Sequence, residues 1–154
     1  MSLTASELFD PDYRSHVKAL IGTGAKSEPE YSADRLLARI RAGIEVSLVV
    51  RMAHRYDLTD VVLADLLAIS LSTLKRRRAA NGRLTADESD RFVRVLGLYA
   101  MAEDVMGSPA LAFEWMSCAN RSLGHESPNA YARMDAGARE VEDLLGRIAH
   151  GVAA

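Results

Sequence analysis

The stretch 60-DVVLADLLAISLSTLKRRRAA-80 constrains the fold most, because its apolar residues are spaced like the core of a helix-turn-helix. The positions that would form this core are Leu63, Ala64, Leu67, Ile69 and Leu74. The turn falls at residues 68–70, where Ala68 replaces the usual glycine, so we expect its backbone to avoid the strained left-handed conformation. Many helical hairpins share this apolar spacing, and the pattern alone therefore leaves DNA binding open.

The rest of the readable chain also follows helical patterns. The predicted helix starts share a short polar residue as N-cap, and they are Ser32, Thr85, Ser108, Ser127 and Asp135. In 85-TADE-88 the spacing of Thr85 and Glu88 predicts a capping box, and a proline follows two of the serine caps. No segment alternates like a β-strand, so we predict an all-α fold.

The formal net charge of −2 conceals a strongly basic segment. Residues 70–84 carry five basic side chains and no acidic one, whereas residues 1–34 carry six acidic and three basic ones. A local patch of this kind, rather than the total charge, is what a polyanion such as DNA would meet.

The four consecutive cations at positions 75–78 cannot all face one groove, because a helix turns by about 100° per residue. With Leu74 turned inward, the residues around it divide into two groups. Those that point outward, as candidates for contacting DNA, are Ser72, Lys75 and Arg76. Those expected to form structural ion pairs between this helix and the next are Arg77, Arg78, Glu88 and Asp90. The alternative is a solvated charge run with weak ion pairs.

Residues that could act in catalysis or bind a metal do not have the spacing that a catalytic or metal site requires. The four histidines lack ligand spacing to one another and to carboxylates, and no serine lies in a nucleophile elbow. Cys118, the only cysteine, lies among apolar neighbours and is interpreted as a small core residue. We therefore expect no enzyme activity, no cofactor and no metal. Because the N-terminus lacks the order of a signal peptide and the apolar runs are too short for a bilayer, we expect a cytoplasmic protein without membrane contact.

Four segments occur in an order and spacing that resemble a known family. They are 73-TLKRR-77, 84-LTADESDR-91, 113-FEWM-116 and 128-PNAYARMDAGAREVEDLLGRIAHG-151. Together they resemble the Xre/MbcA/ParS antitoxins that accompany RES-domain toxins in bacteria, and the resemblance covers residues 33–154. It implies an Xre-like helix-turn-helix domain joined to a C-terminal helical domain that binds the toxin.

The resemblance also implies an activity and partners. Toxins of this family consume NAD or transfer ADP-ribose from it, and the C-terminal segment of the antitoxin blocks the toxin's active-site cleft. Many such pairs repress their own operon through the helix-turn-helix, usually as homodimers or larger complexes with the toxin, which makes operator DNA a second partner. On this basis the chain divides into an N-terminal arm without an assigned structure (1–31), a helix-turn-helix domain (32–106) and a C-terminal toxin-binding domain with its tail (107–154).

The last nine residues correspond to the part of the family that reaches the toxin's cleft. The resemblance therefore makes toxin-contact candidates of Arg147, His150, Gly151 and Val152. Arg147 presents a planar, permanently charged guanidinium that suits anionic or carboxylate groups. The alternative is that Arg147 pairs with Asp143, four residues earlier, and that His150 is a frayed terminal residue. A helix-turn-helix transcriptional regulator whose C-terminal domain only oligomerises is the second interpretation of the whole chain.

Overall fold

The computed structural model describes residues 33–151. Eight α-helices lie in this range: α1 (Ala33–Ala42), α2 (Val46–Arg55), α3 (Asp60–Leu67), α4 (Leu71–Ala79), α5 (Ala86–Met106), α6 (Pro109–Ser117), α7 (Pro128–Tyr131) and α8 (Asp135–Ala149). A 3-10 turn at Arg121–Leu123 precedes α7, and no strand longer than an isolated bridge occurs in the described range. Over these residues the all-α prediction is confirmed. The predicted arm 1–31 and the predicted cap Ser32 lie outside the described residues.

Several helices begin where the sequence predicted, because a side-chain oxygen accepts a hydrogen bond from the first turn. Thr85 and Glu88 form the predicted capping box at the start of α5. Ser108 caps α6 and Ser127 caps α7, and each is followed by the proline that favours the first helical position. A cap of this kind stabilises a protein by about 1 kcal/mol.

The start of α8 differs from the prediction, because Asp135 does not cap it. Met134 is the N-cap residue, with an extended backbone, and Asp135 lies in the first turn. The carboxylate of Asp135 instead pairs with Arg94 at 3.3 Å and with Arg139 at 2.7 Å. Its position near the positive end of the helix dipole is still favourable. The chain therefore enters α8 one residue earlier than the polar side chain suggested.

Helix α5 joins the two halves of the chain. It packs against α1 and α3 and also against α6 and α8. Phe92, Tyr99 and Ala102 of this helix are 0% exposed. They belong to one cluster of buried apolar side chains that also contains Leu63 of α3 and Val141 of α8. The helix-turn-helix and the C-terminal helices therefore share a core.

A buried carboxylate, Glu103, links α2 to α5. It accepts hydrogen bonds from Arg55 Nε and from the Tyr56 hydroxyl, both at 2.9 Å, and it also forms an ion pair with the Nη2 atom of Arg55. Burial and then the charge of Glu103 raise the pKa of Tyr56, and the hydrogen bond to Glu103 raises the pKa of Arg55. The Tyr56 ring lies 4.8 Å from the Tyr99 ring. A charge at this depth is tolerated because it is paired and hydrogen-bonded.

Two close approaches of the backbone require glycine. Gly43 follows α1 with a φ of 87°, and a Cβ there would overlap the carbonyl oxygen of Leu84. Gly137 lies in the first turn of α8, where a Cβ would overlap the carbonyl oxygen of Tyr131. The second contact sets how closely α8 packs on α7.

Cys118 is not the core residue that the sequence suggested. It is exposed at the C-cap of α6, directly after the last helical residue. Its neighbours Trp115 and Met116 do pack into the core. The chain leaves the helix at Cys118, however, so the apolar face ends before this residue.

Candidate functional site

The helix-turn-helix consists of α3 and α4, joined by a turn at Ala68. Ala68 has φ 54° and ψ 43°, so the expectation that it avoids the left-handed conformation is wrong. Two backbone hydrogen bonds of 3.0 Å close the turn, from Ala68 N to Asp65 O and from Ile69 N to Ala64 O. This Schellman arrangement satisfies carbonyl groups at the end of α3 and offsets a conformation that costs alanine roughly 1–2 kcal/mol.

Helix α4, the recognition helix of the motif, presents the predicted DNA-contact residues to solvent. Its N-cap is Ser70, whose hydroxyl accepts a hydrogen bond from Thr73 N at 3.1 Å, and Leu74 is buried against the core. The exposed candidates are Ser72, Lys75 and Arg76. Neither Lys75 nor Arg76 forms an ion pair with a carboxylate of residues 33–151.

Arg77 turns toward the protein and forms an ion pair with Glu88. The Glu88 carboxylate also accepts a hydrogen bond from Thr85 N at 2.8 Å, so the recognition helix is joined to the capping box of α5. Burial by itself would raise the pKa of Glu88, but the hydrogen bonds from Arg77 and Thr85 outweigh it and hold this pKa below its usual value. The contact that the sequence predicted between Arg77 and the acidic start of α5 is present.

Arg78 and Asp90 take no part in this contact, and their predicted partners are wrong. Arg78 pairs with Asp60 at the start of α3, at 2.7 Å. Asp90 pairs with Arg94, one turn later in α5, at 3.1 Å. Because successive helical residues are rotated by about 100°, the side chain that follows Arg77 reaches a different helix.

The C-terminal candidates lie at the end of α8. Three side chains that are 0% exposed anchor this helix in the core: Val141, Leu144 and Leu145. Arg147 and His150 are exposed, and Gly151 follows the helix in the left-handed conformation with a φ of 67°. Within residues 33–151 Arg147 forms no ion pair, so the alternative pairing with Asp143 is absent. Val152 lies outside the described residues.

A contact that local sequence patterns do not reveal connects the two halves of the chain. Arg133, in the connection between α7 and α8, pairs with Asp65 of α3, with its Nη2 atom 2.5 Å from Oδ2. This ion pair and the turn residues Ala68 and Ile69 line a groove of about 250 Å³. Arg133 and Asp65 are 68 residues apart in the sequence, so no helical spacing pointed to their pairing.

Two exposed surfaces, on α4 and at the end of α8, carry the predicted contact residues that the structure describes. No group of three or more His, Cys, Asp or Glu side chains that could hold a metal ion occurs in the described part of the chain. In the same residues, no helix combines the length and the apolar character needed to cross a membrane.

Two family models match the chain in succession. Residues 35–97 match the antitoxin Xre-like helix-turn-helix domain, from α1 into α5. Residues 101–151 match the antitoxin Xre/MbcA/ParS C-terminal toxin-binding domain, from within α5 to the end of α8. The two matched segments therefore divide α5 between them.

Three relatives, each named Antitoxin Xre, align with most of the chain. The protein from Yersinia enterocolitica is 33% identical over 118 residues, which cover 76% of this chain and 80% of the relative. The protein from Pseudomonas putida is 33% identical over 141 residues, covering 91% of this chain and 84% of the relative. The protein from Photorhabdus laumondii is 30% identical over 125 residues, covering 80% of this chain and 84% of the relative.

Proposed function

The chain belongs to the Xre/MbcA/ParS antitoxin family, and on that premise we propose that it neutralises a RES-domain toxin by blocking the toxin's active site with its C-terminal segment. The observation that carries the proposal is the match of residues 101–151 to a toxin-binding domain, which runs to the exposed end of α8. The relatives of this chain are antitoxins rather than enzymes, so the proposed activity is binding.

The geometry of α8 suits this role. Buried Val141 and Leu145 anchor the helix in the core, so its C-terminal end is presented by a packed element. Arg147 is exposed at this end and forms no ion pair with residues 33–151. Its planar, permanently charged guanidinium suits a carboxylate or another anionic group on the toxin. The other toxin-contact candidates follow Arg147 in the sequence and are His150, Gly151 and Val152.

Co-expression with a RES-domain toxin encoded beside the gene tests this proposal. The full-length chain should restore growth of the host, whereas a chain that ends at Gly146 should fail, because it lacks all the toxin-contact candidates. Circular dichroism checks that the shortened chain keeps its helices. Restored growth with the shortened chain would reject blocking by the C-terminal segment. If the full-length chain neither binds the toxin nor restores growth, the regulator whose C-terminal domain only oligomerises is favoured.

We further propose that the chain represses its own operon by binding operator DNA through α4. The division of the four cations supports this activity: two form ion pairs with Glu88 and Asp60, and the other two are exposed and form no ion pair with residues 33–151. Exposed cations on a recognition helix can contact phosphates or guanine edges, and Ser72 lies one turn earlier on the exposed surface. A homodimer would present two such helices to a two-fold operator. The cytoplasm is the compartment where such a protein would meet both the toxin and the DNA.

A double variant, Lys75→Ala with Arg76→Ala, tests this second activity. It should weaken binding to a duplex that spans the DNA upstream of the gene and should reduce the dependence of binding on salt, because fewer counterions are released. Neutralisation of the toxin should be unchanged. Arg139→Ala, which removes an exposed cation from α8, is the matched control. DNA binding by the double variant as tight as that of wild type would reject α4 as the DNA-binding surface.

A further inference from the structure

Both acidic residues of α3 are paired with arginines. Asp60 pairs with Arg78 of the recognition helix, and Asp65 pairs with Arg133. Because α3 reads DVVLADLL, these two pairs neutralise all of its side-chain charge. The first pair lies within the helix-turn-helix, whereas the second takes its arginine from the segment that matches the toxin-binding domain.

The pair of Asp65 and Arg133 lies close to the end of the recognition helix that would enter the DNA. Both residues line the groove that also contains Ala68 and Ile69. Ile69 directly precedes Ser70, the N-cap of α4. Because the N-terminal residues of a recognition helix contact base edges, charges beside this end lie near the DNA phosphates. An unpaired carboxylate at this place would repel them.

The pair of Arg133 and Asp65 contributes little to the stability of the fold. The side chains of Arg133 and Asp65 are 55% and 52% exposed, and ion pairs with such exposure stabilise proteins weakly because solvent screens them. Their main effect is therefore on the electrostatic potential that a charged ligand meets at this surface.

We propose that Arg133 strengthens DNA binding from outside the helix-turn-helix by neutralising Asp65 beside the start of the recognition helix. This inference rests on the proposed DNA-binding activity of α4. DNA binding then depends on a side chain of the toxin-binding segment. A helix-turn-helix segment without that arginine would present the Asp65 carboxylate to the phosphates.

Fluorescence anisotropy on the full chain, with a duplex that spans the DNA upstream of the gene, tests the inference. Arg133→Ala should weaken binding by about five-fold at low salt, because one unpaired carboxylate is added near the phosphates. Asp65→Asn should bind at least as tightly as wild type. The double variant should bind about as tightly as wild type, because it lacks both charges and the local charge is again zero. Arg139→Ala, a matched change in the same segment, should leave DNA binding unchanged.

Two results would overturn the inference while the proposed DNA-binding activity stands. The first is DNA binding by Arg133→Ala as tight as that of wild type. The second is a double variant that binds as weakly as Arg133→Ala, which would mean that Arg133 contacts phosphates itself. Melting temperatures of the variants, expected to stay close to that of wild type, separate an electrostatic effect from unfolding. If wild type does not bind the duplex, or if the Lys75→Ala and Arg76→Ala changes leave binding intact, the proposed DNA-binding activity of α4 fails and the inference fails with it.

Discussion

Arg77 of the recognition helix forms an ion pair with Glu88, whose carboxylate also accepts a hydrogen bond from Thr85 at the start of α5. The two paired side chains are 20% and 11% exposed, so solvent screens this pair less than it screens the neighbouring pair of Arg78 and Asp60. The contact joins α4 to the start of α5 and lies on the side of the recognition helix that faces the protein, as does the buried Leu74.

Removal of Arg77 should therefore destabilise the fold. Arg77→Ala leaves a largely buried carboxylate without its cation, and we expect the free energy of unfolding to fall by roughly 1–3 kcal/mol. Arg78→Ala is the matched control, because it removes the adjacent arginine from a more exposed pair and should cost less than about 1 kcal/mol. Urea unfolding followed by circular dichroism measures both losses. Equal losses of unfolding free energy in the two variants would contradict a larger contribution to stability from the pair with Glu88.

The low pKa of Glu88 predicts a dependence of stability on pH. Because this pKa is held below its usual value of 4.5 in the folded protein, folding favours the ionised carboxylate. Its contribution to stability is fully present above the unfolded-state pKa and is lost as the pH falls through the lower folded-state pKa. The difference in unfolding free energy between wild type and Glu88→Gln should therefore shrink as the pH is lowered from about 7 to about 3. A difference that stays constant over this range would exclude preferential stabilisation of the ionised form.

The two glycines of α8 should respond oppositely to alanine. At Gly137 a Cβ would overlap the carbonyl oxygen of Tyr131, so Gly137→Ala should destabilise by roughly 1–3 kcal/mol or more. At Gly146 a Cβ would lie 3.9 Å from Met101 Cε, an ordinary contact, and alanine should stabilise the helix by up to about 1 kcal/mol. Thermal unfolding measures both effects, and the Gly137 variant checks the packing of α8 on α7. A neutral effect at Gly137 would show that the two helices can separate without cost.

Arg147 should contribute to toxin affinity, whereas Arg139 should not. Both arginines are exposed on α8, but Arg139 already pairs with Asp135, and it lies two turns before the toxin-contact candidates. We expect Arg147→Ala to weaken binding of the RES-domain toxin by at least about ten-fold, as for a charged contact at the centre of an interface. Isothermal titration calorimetry with the purified toxin measures both variants. Similar affinities for the two would remove Arg147 from the interface.

Local patterns in the sequence predicted the features that depend on helical geometry and on short chain separations. The helix-turn-helix spacing placed Leu74 inside, and the period of the helix separated Arg77 from Lys75 and Arg76. Arg77 and Glu88 are only 11 residues apart, so the direction of one helix and the cap of the next were sufficient to suggest their contact.

Features that depend on tertiary packing were not predictable in this way. The pairs Arg55–Glu103 and Asp65–Arg133 join residues 48 and 68 positions apart, and no local period relates them. The αL turn at Ala68 was also missed, because its cost is offset by hydrogen bonds that appear only when α3 ends there. Cys118 was misplaced for a related reason, since an apolar neighbourhood in sequence does not tell where a helix ends.

For the RES-domain toxin that we propose as the partner, NAD consumption by the purified toxin measures most directly whether the C-terminal segment of this chain occupies the active site. Titration with the full-length chain should abolish the activity at a stoichiometric ratio. The chain that ends at Gly146 should still bind the toxin through its remaining toxin-binding surface but should leave most of the activity intact. Complete inhibition by the shortened chain, at the same ratio as the full-length chain, would contradict the proposed mechanism.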